Sequence, residues 1–233
     1  GTREQRLVDL LDAVRQVYAS TLSEQALRYR QRRGLLDEHE QMALLIMRVS
    51  GKAGARHFYP HAAGVGLSFN PYPWNPRIDM RAGVLRLVAG LGTRAVDRSD
   101  DDYTRLIALN APELRPETNF GAIARHAQRR MDTLDLEENC IRTGPYAELV
   151  DQASDFPHEL FTSRERADSP AFLTFDGLLE KTPFVEDMRT LLACLHQAYR
   201  HPVEIEFALN VLPDGSYRIN LLQCRPMQVR SVD

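Results

Sequence analysis

The last stretch of the chain, PVEIEFALNVLPDGSYRINLLQCRP, concentrates the side chains best suited to chemistry. Two alternating runs flank Pro213-Asp214-Gly215, a strong turn signal, so the spacing predicts a β-hairpin. Residues two apart in a strand share a face, so Glu204 and Glu206 project together, as do Gln223 and Arg225. With Leu212 set opposite Gly215, Glu204 falls opposite Gln223 and Glu206 opposite Leu221, diagonal to Gln223. Two carboxylates, an amide oxygen and a guanidinium then crowd one face. The oxygens suit a hard cation such as Mg²⁺ and the guanidinium suits a phosphate, which is a phosphoryl-transfer site in outline. A solvent-facing strand with ordinary cross-strand charge pairs has the same pattern, and spacing alone leaves both readings open.

The elements that must position these groups are partly readable. Leu7, Leu10, Leu11, Val14, Val17 and Tyr18 follow the 3.6-residue period of a first helix with one buried face. Thr21 with Glu24 three residues on reads as a capping box for a second helix, which carries Arg28, Arg30, Arg32 and Arg33 and ends at Gly34. Residues 42–49, MALLIMRV, form a continuous apolar run of strand length, predicting a central strand buried on both faces. Two more strands are predicted over 63–69 and 84–89. The second leads into Gly90-Leu91-Gly92-Thr93, either a tight turn or a loop whose amides face phosphate oxygens. Residues 110–182 contain Pro112, Pro116, Pro145, Pro157 and Pro170 with little periodicity and read as a loop-rich excursion, with one short helix over 122–130. Thr182-Pro183 then opens a strong helix with Phe184, Met188, Leu191, Leu192, Leu195 and Tyr199 along one face.

Composition narrows the function classes. Among 233 residues, 29 Lys+Arg stand against 32 Asp+Glu, a net charge of −3, so no excess of positive charge draws the chain to nucleic acid or an anionic membrane. No run approaches the roughly 18 apolar residues of a spanning helix. Cys140, Cys194 and Cys224 are too far apart for a Cys-x-x-Cys site and are odd in number, which fits a reducing, cytoplasmic setting. The first residue is not Met and a helix follows almost at once, which suggests a piece of a longer protein. Three superficial motifs carry little weight. Ser50-Gly51-Lys52-Ala53-Gly54 lacks the spacing of a P-loop and reads as a hairpin loop, Gly66-Leu67-Ser68-Phe69-Asn70 lacks the second glycine of a hydrolase elbow, and Pro60 breaks any helix that would align His57 with His61.

The chain resembles the ATP-grasp nucleotide-binding domain at the N-terminal end of phosphoenolpyruvate synthase and pyruvate phosphate dikinase. The blocks that carry the resemblance are VYAS, YRQRRG, MALLIMRV, AGVGLSFNP, AGLGTRAVDR, FDGLL and, most specific, PVEIEFAL with LLQCRP. The resemblance implies an α+β, ATP-grasp-like fold with a largely antiparallel sheet and packed helices, of which residues 1–233 form the C-terminal part. It implies ATP and Mg²⁺ as ligands, with Glu206 and Gln223 holding the metal and Arg225 neutralising the transferring phosphoryl charge. Glu204 becomes a supporting or ribose contact, and Leu45 to Met47 an apolar nucleotide slot. It implies transfer from ATP to a histidine on another domain and then to pyruvate. Relatives usually have an acidic residue where this chain has Thr93, and often a Gln where it has Met47. The first ATP-grasp portion, with its Val-Arg-Ser-Ser motif and phosphate-binding lysine, has no counterpart in these residues, nor have the phosphohistidine and pyruvate-binding domains. The isolated chain is therefore expected to be catalytically inactive. Two alternatives stand beside this reading: a non-catalytic nucleotide-binding or regulatory module, and a dikinase with another acceptor.

Overall fold

Thr2, extended and accepting a hydrogen bond from Gln5 N at 3.2 Å, starts helix α1, Arg3–Ser20. Thr21 does not open the second helix as expected: it closes α1, its hydroxyl donating to Tyr18 O at 2.7 Å. Ser23 is the cap of α2, Glu24–Arg33, accepting from Ala26 N at 3.2 Å, because it stands three residues before a free amide of the first turn. Gly34, at φ 68°, ends α2 in the left-handed conformation and lets Leu35 N reach back to Arg30 O. Arg30 is drawn off the basic face, donating to the carbonyls of Leu35 and Glu38 and pairing with Glu40 at 3.0 Å.

These elements belong to the first of two compact units, Gly1–Val49 and Ser50–Asp233. The computed structural model describes residues 2–54, 56–96, 102–150 and 156–227. Neither helix of the first unit has a fully buried residue, and the apolar face of α1 stands exposed, with Leu7, Leu10, Leu11 and Tyr18 each more than 40% accessible. Residues 42–49 are the clearest departure from expectation. They form no strand, and Leu45, Ile46 and Met47 are 73%, 67% and 48% exposed. A strand exists only where a neighbour completes its ladder, and no described residue pairs with this run.

The second unit opens with β1, Lys52–Ala53, and β2, His57–Tyr59, so SGKAG leads into a hairpin. Next come β3, Ala62–Leu67, β4, Val84–Ala89, α3, Thr93–Val96, and β5, Arg105–Ala108. Residues 110–182, expected to be irregular, carry α4, Phe120–Arg125, β6, Arg130–Asp135, β7, Cys140–Pro145, α5, Tyr146–Leu149, and α6, His158–Phe161. β8, Thr162–Ser163, β9, Phe172–Leu173, and α7, Asp176–Lys181, follow. Helix α8, Phe184–Tyr199, starts after Pro183 as predicted and leads to β10, Val203–Val211, and β11, Tyr217–Pro226. No described helix is long and apolar enough to cross a membrane.

The strands form a five-stranded sheet, β11-β10-β3-β4-β5, a four-stranded sheet, β1-β2-β6-β7, and the pair β8-β9, with every ladder antiparallel. This is the α+β, largely antiparallel architecture expected. Alternation delivers Ile205, Phe207 and Leu209 of β10 and Leu85 and Leu87 of β4 to one sheet face, where they pack with Phe184, Met188 and Leu192 of α8. Tyr199, placed on the same helix face by periodicity, is 47% exposed. Among the described residues the opposite face has a small apolar cluster, Ala63, Val65, Val88 and Ala95. That leaves room beside it for polar groups.

One ion-pair network in the four-stranded sheet sets an acid limit. The Asp135 carboxylate accepts from Arg56 Nε at 2.8 Å and from the amides of Glu137 and Glu138 at 3.0 Å each. The Arg56 hydrogen bond, then these amides, hold it well below the usual carboxylate range. A carboxyl depressed in the folded state contributes stability that is complete above the unfolded value of about 4 and lost as pH falls through the folded value. Denaturant midpoints measured from about pH 7 down to about pH 2 should therefore fall below pH 4. In Asp135→Asn they should start lower and decline less steeply; parallel curves would contradict this role.

Candidate functional site

The terminal hairpin turns through a three-residue loop rather than two. Gly215, at φ 82°, donates to Leu212 O at 3.0 Å, and Leu212 N then bonds Ser216 O at 2.7 Å. Asp214 Oδ1 accepts from both Ser216 N and Ser216 Oγ, tightening the loop. This is the turn-plus-left-handed-glycine hairpin, and it moves the register one residue from the expected Leu212–Gly215 pairing. A β-bulge between Glu206 and Phe207 moves it one more: Phe207 pairs with Leu221, but Glu206 pairs with Gln223. The expected pairs, Glu204–Gln223 and Glu206–Leu221, are thus replaced by Glu204–Arg225 and Glu206–Gln223.

The bulge also changes which residues of β11 face the core. Tyr217 and Ile219 pack against it on the turn side, and Cys224 does so beyond the bulge. Gln223 and Arg225 therefore share the face of Glu204 and Glu206, opposite α8. Arg225 donates to Glu204 Oε1 at 2.9 Å, and this bond raises the guanidinium pKa further. Glu206 and Gln223 lie side by side, and neither has a hydrogen-bond or ion-pair partner among the described residues. These are two uncommitted oxygen donors on neighbouring strands, the type of group that hard cations take. Nearer the turn, Ser50 bridges the strands, accepting from Asn210 Nδ2 at 2.9 Å and donating to Asn220 Oδ1 at 3.1 Å.

The structure adds a residue that the sequence reading missed. Arg86 of β4 pairs with Val65, Val65 with Glu206, and Glu206 with Gln223, so all four stand in one cross-strand row. The next row runs Val84, Leu67, Glu204, Arg225. Arg86, half-buried, has no ion pair among the described residues. With Glu204, Arg225, Val65, Leu67 and Met227 it lines a groove of about 300 Å³. The signal was a lone charge inside the apolar strand VLRLVA. Such a charge needs a polar destination, and strand pairing supplies it only in the folded sheet.

In the Gly90-Leu91-Gly92-Thr93 turn, one backbone amide and one hydroxyl are committed to β6. Leu91 N is spent on Asp132 O at 2.9 Å, and Thr93 Oγ1 donates to Asp132 Oδ2 at 2.6 Å. Thr143 Oγ1 binds the other Asp132 oxygen at 2.8 Å, with Arg94 at 3.3 Å. Thr93 therefore ties the turn to a carboxylate of β6. Asp97 and Arg98 of the same block lie outside the described residues. Leu45 to Met47, the expected nucleotide slot, stand exposed on the strandless run of the first unit. His57 and His61 serve separate purposes, the first 3.2 Å from Thr133 Oγ1, the second accepting from Val211 N at 2.9 Å.

Comparison with known proteins adds one positive finding. A family model described as the pyruvate phosphate dikinase AMP/ATP-binding domain matches residues 4–233. No curated protein matches the chain.

Proposed function

The chain belongs to the pyruvate phosphate dikinase AMP/ATP-binding domain family, and from that membership we propose how its residues divide the work of a nucleotide site. It is the nucleotide-binding part of a pyruvate phosphate dikinase-like enzyme. In our reading, Glu206 and Gln223 hold Mg²⁺ against the ATP phosphates, Arg225 meets the transferring phosphoryl group, and Glu204 orients Arg225. The donor set fits: one carboxylate and one amide oxygen, both uncommitted, match a cation that takes few protein ligands and completes its shell with phosphate oxygens and water. Bound Mg²⁺ supplies charge neutralisation and alignment of the triphosphate. Arg86, in the same row, gives the phosphates a second guanidinium. Phosphoryl transfer depends mainly on positioning and charge stabilisation, and these residues offer both.

The reading extends to a histidine acceptor on another domain and then to pyruvate, yielding phosphoenolpyruvate, AMP and phosphate. A dikinase with a different final acceptor would use the same nucleotide site. The exposed apolar run at 44–49 supports the view that an upstream ATP-grasp portion completes the first unit. The isolated chain is accordingly inactive in this reading, and ATP-dependent phosphoenolpyruvate formation by these 233 residues alone would contradict it.

The observation that carries the proposal is the bulge-set register, which pairs Glu206 with Gln223 and Glu204 with Arg225 on one face. Its test is calorimetric titration of Mg·ATP into the chain and into Glu206→Gln/Gln223→Ala. Each lost ligand to a charged group costs about 1.5–3 kcal/mol, so the double variant should bind on the order of 100-fold more weakly or worse. Equal affinity in both proteins would sink the assignment. So would absence of binding both here and in a longer form carrying the upstream portion, which would favour a module without a working site.

A further inference from the structure

At the start of β5, on the edge of the five-stranded sheet opposite the hairpin, a guanidinium is buried with no carboxylate in ion-pair contact among the described residues. Arg105 is only 8% exposed. Its Nη1 donates to Leu106 O and its Nη2 to Pro112 O at 3.0 Å, so two of its five N–H groups are used. Nε has no partner, and neither has the buried hydroxyl of adjacent Thr104. Among the described residues no carboxylate forms an ion pair with Arg105; Asp176 is taken by Arg115. Buried charges are ordinarily paired, so this arrangement is costly as it stands.

Both residues line a cavity of about 370 Å³, a size that suits a small ligand. Arg115 and Glu117 add charge to its wall, and Leu106 and Leu173 make part of it apolar. Burial, with the like charge of Arg115 second, pulls the Arg105 guanidinium down to about 10, and it stays charged at neutral pH. Gln128 also faces this space, but its amide is satisfied by Ala89 and the Arg130 carbonyl. Among the described residues, the buried donors left unpaired on this wall are Arg105 Nε and the Thr104 hydroxyl.

We propose that this cavity is a binding site for a small oxyanion, a phosphate or carboxylate group on a short apolar body, held by the Arg105 guanidinium and the Thr104 hydroxyl. The anion takes donors that the fold leaves empty and supplies the counter-charge. The site lies at the other edge of the sheet from Arg225 and does not depend on the nucleotide reading.

The test is ¹⁵N NMR of arginine Nε–H groups while inorganic phosphate, and separately butyrate, is titrated into the chain. An Arg225→Gln background keeps the hairpin from responding. The Arg105 resonance is assigned by its loss in Arg105→Lys, or by through-bond correlation if that variant does not fold. A saturable shift of that resonance is expected. The nearly isosteric Thr104→Val should weaken it roughly tenfold, and Glu117→Gln, which removes a competing negative charge, should tighten it. Response to phosphate alone identifies a phosphate ligand, to butyrate alone a carboxylate, and to both the shared oxyanion chemistry. A resonance unmoved by either anion overturns the proposal, as does a shift that saturates identically in Thr104→Val and Glu117→Gln.

Discussion

Replacing Arg225 with Gln in an intact enzyme carrying this chain is expected to slow phosphoryl transfer from ATP by two to three orders of magnitude, roughly 3–4 kcal/mol of transition-state stabilisation. The guanidinium stands on an edge strand and is held at 2.9 Å by Glu204, so in the proposed function it is positioned before the nucleotide arrives. A preorganised cation of this kind acts most strongly where phosphoryl charge redistributes, so the loss should fall on kcat more than on Mg·ATP affinity. Arg225→Lys should recover little, because a point charge lacks the planar fork that meets both Glu204 and a phosphate oxygen. Glu204→Gln gives the complementary result. With Arg225 still present but untethered, activity should drop by a smaller factor, roughly tenfold, and the double variant should be no worse than Arg225→Gln alone. Single-turnover transfer from ATP to the proposed acceptor histidine is the measurement. Full activity in Arg225→Gln, or a change confined to KM, would remove Arg225 from the transferring group.

How much of this site was legible beforehand depends on what kind of information each part needs. Strand β4 and helix α8 came directly from local signals, a six-residue stretch with five apolar residues and a Thr-Pro start. The shared face of Glu204, Glu206, Gln223 and Arg225 was also legible, since alternation fixes faces within each strand. Their pairing was not. It rests on the left-handed backbone of Gly215 and on a bulge at Leu222, and each shifts the register by one residue. The two shifts together return the four residues to a common face, so the face survived an incorrect register. Strands β6 and β7 were hidden because RMDTLD and CIRTGP are short and polar and pair only in a small second sheet. The run at 42–49 failed in the opposite sense. Its composition suits a strand, but composition cannot supply the neighbour that a ladder requires.

The second large effect concerns the turn that joins the two sheets of the second unit. Gly90→Ala is expected to destabilise the fold by about 2–5 kcal/mol, the sum of a left-handed backbone cost of about 1–2 and an overpacking cost of about 1–3. Gly90 has φ 83°, and a Cβ there would lie 2.2 Å from Met131 Cγ and 2.6 Å from Asp132 O. Relief requires β6 to withdraw, which pulls Asp132 away from Leu91 N and from the Thr93 hydroxyl. For a unit of this size each kcal/mol lowers Tm by roughly 2–4 °C, so a fall of about 4–20 °C should appear in thermal unfolding. Gly215→Ala is the internal control. Its φ of 82° is nearly the same, yet nothing lies within 4 Å of the added Cβ, so it should cost only the backbone part, about 1–2 kcal/mol. The excess of Gly90→Ala over Gly215→Ala measures how tightly the glycine turn is pressed against β6. Equal losses at the two positions would mean that the turn needs glycine only for its backbone. In that case β6 relaxes away from the turn, and Leu91 N is released from Asp132 O.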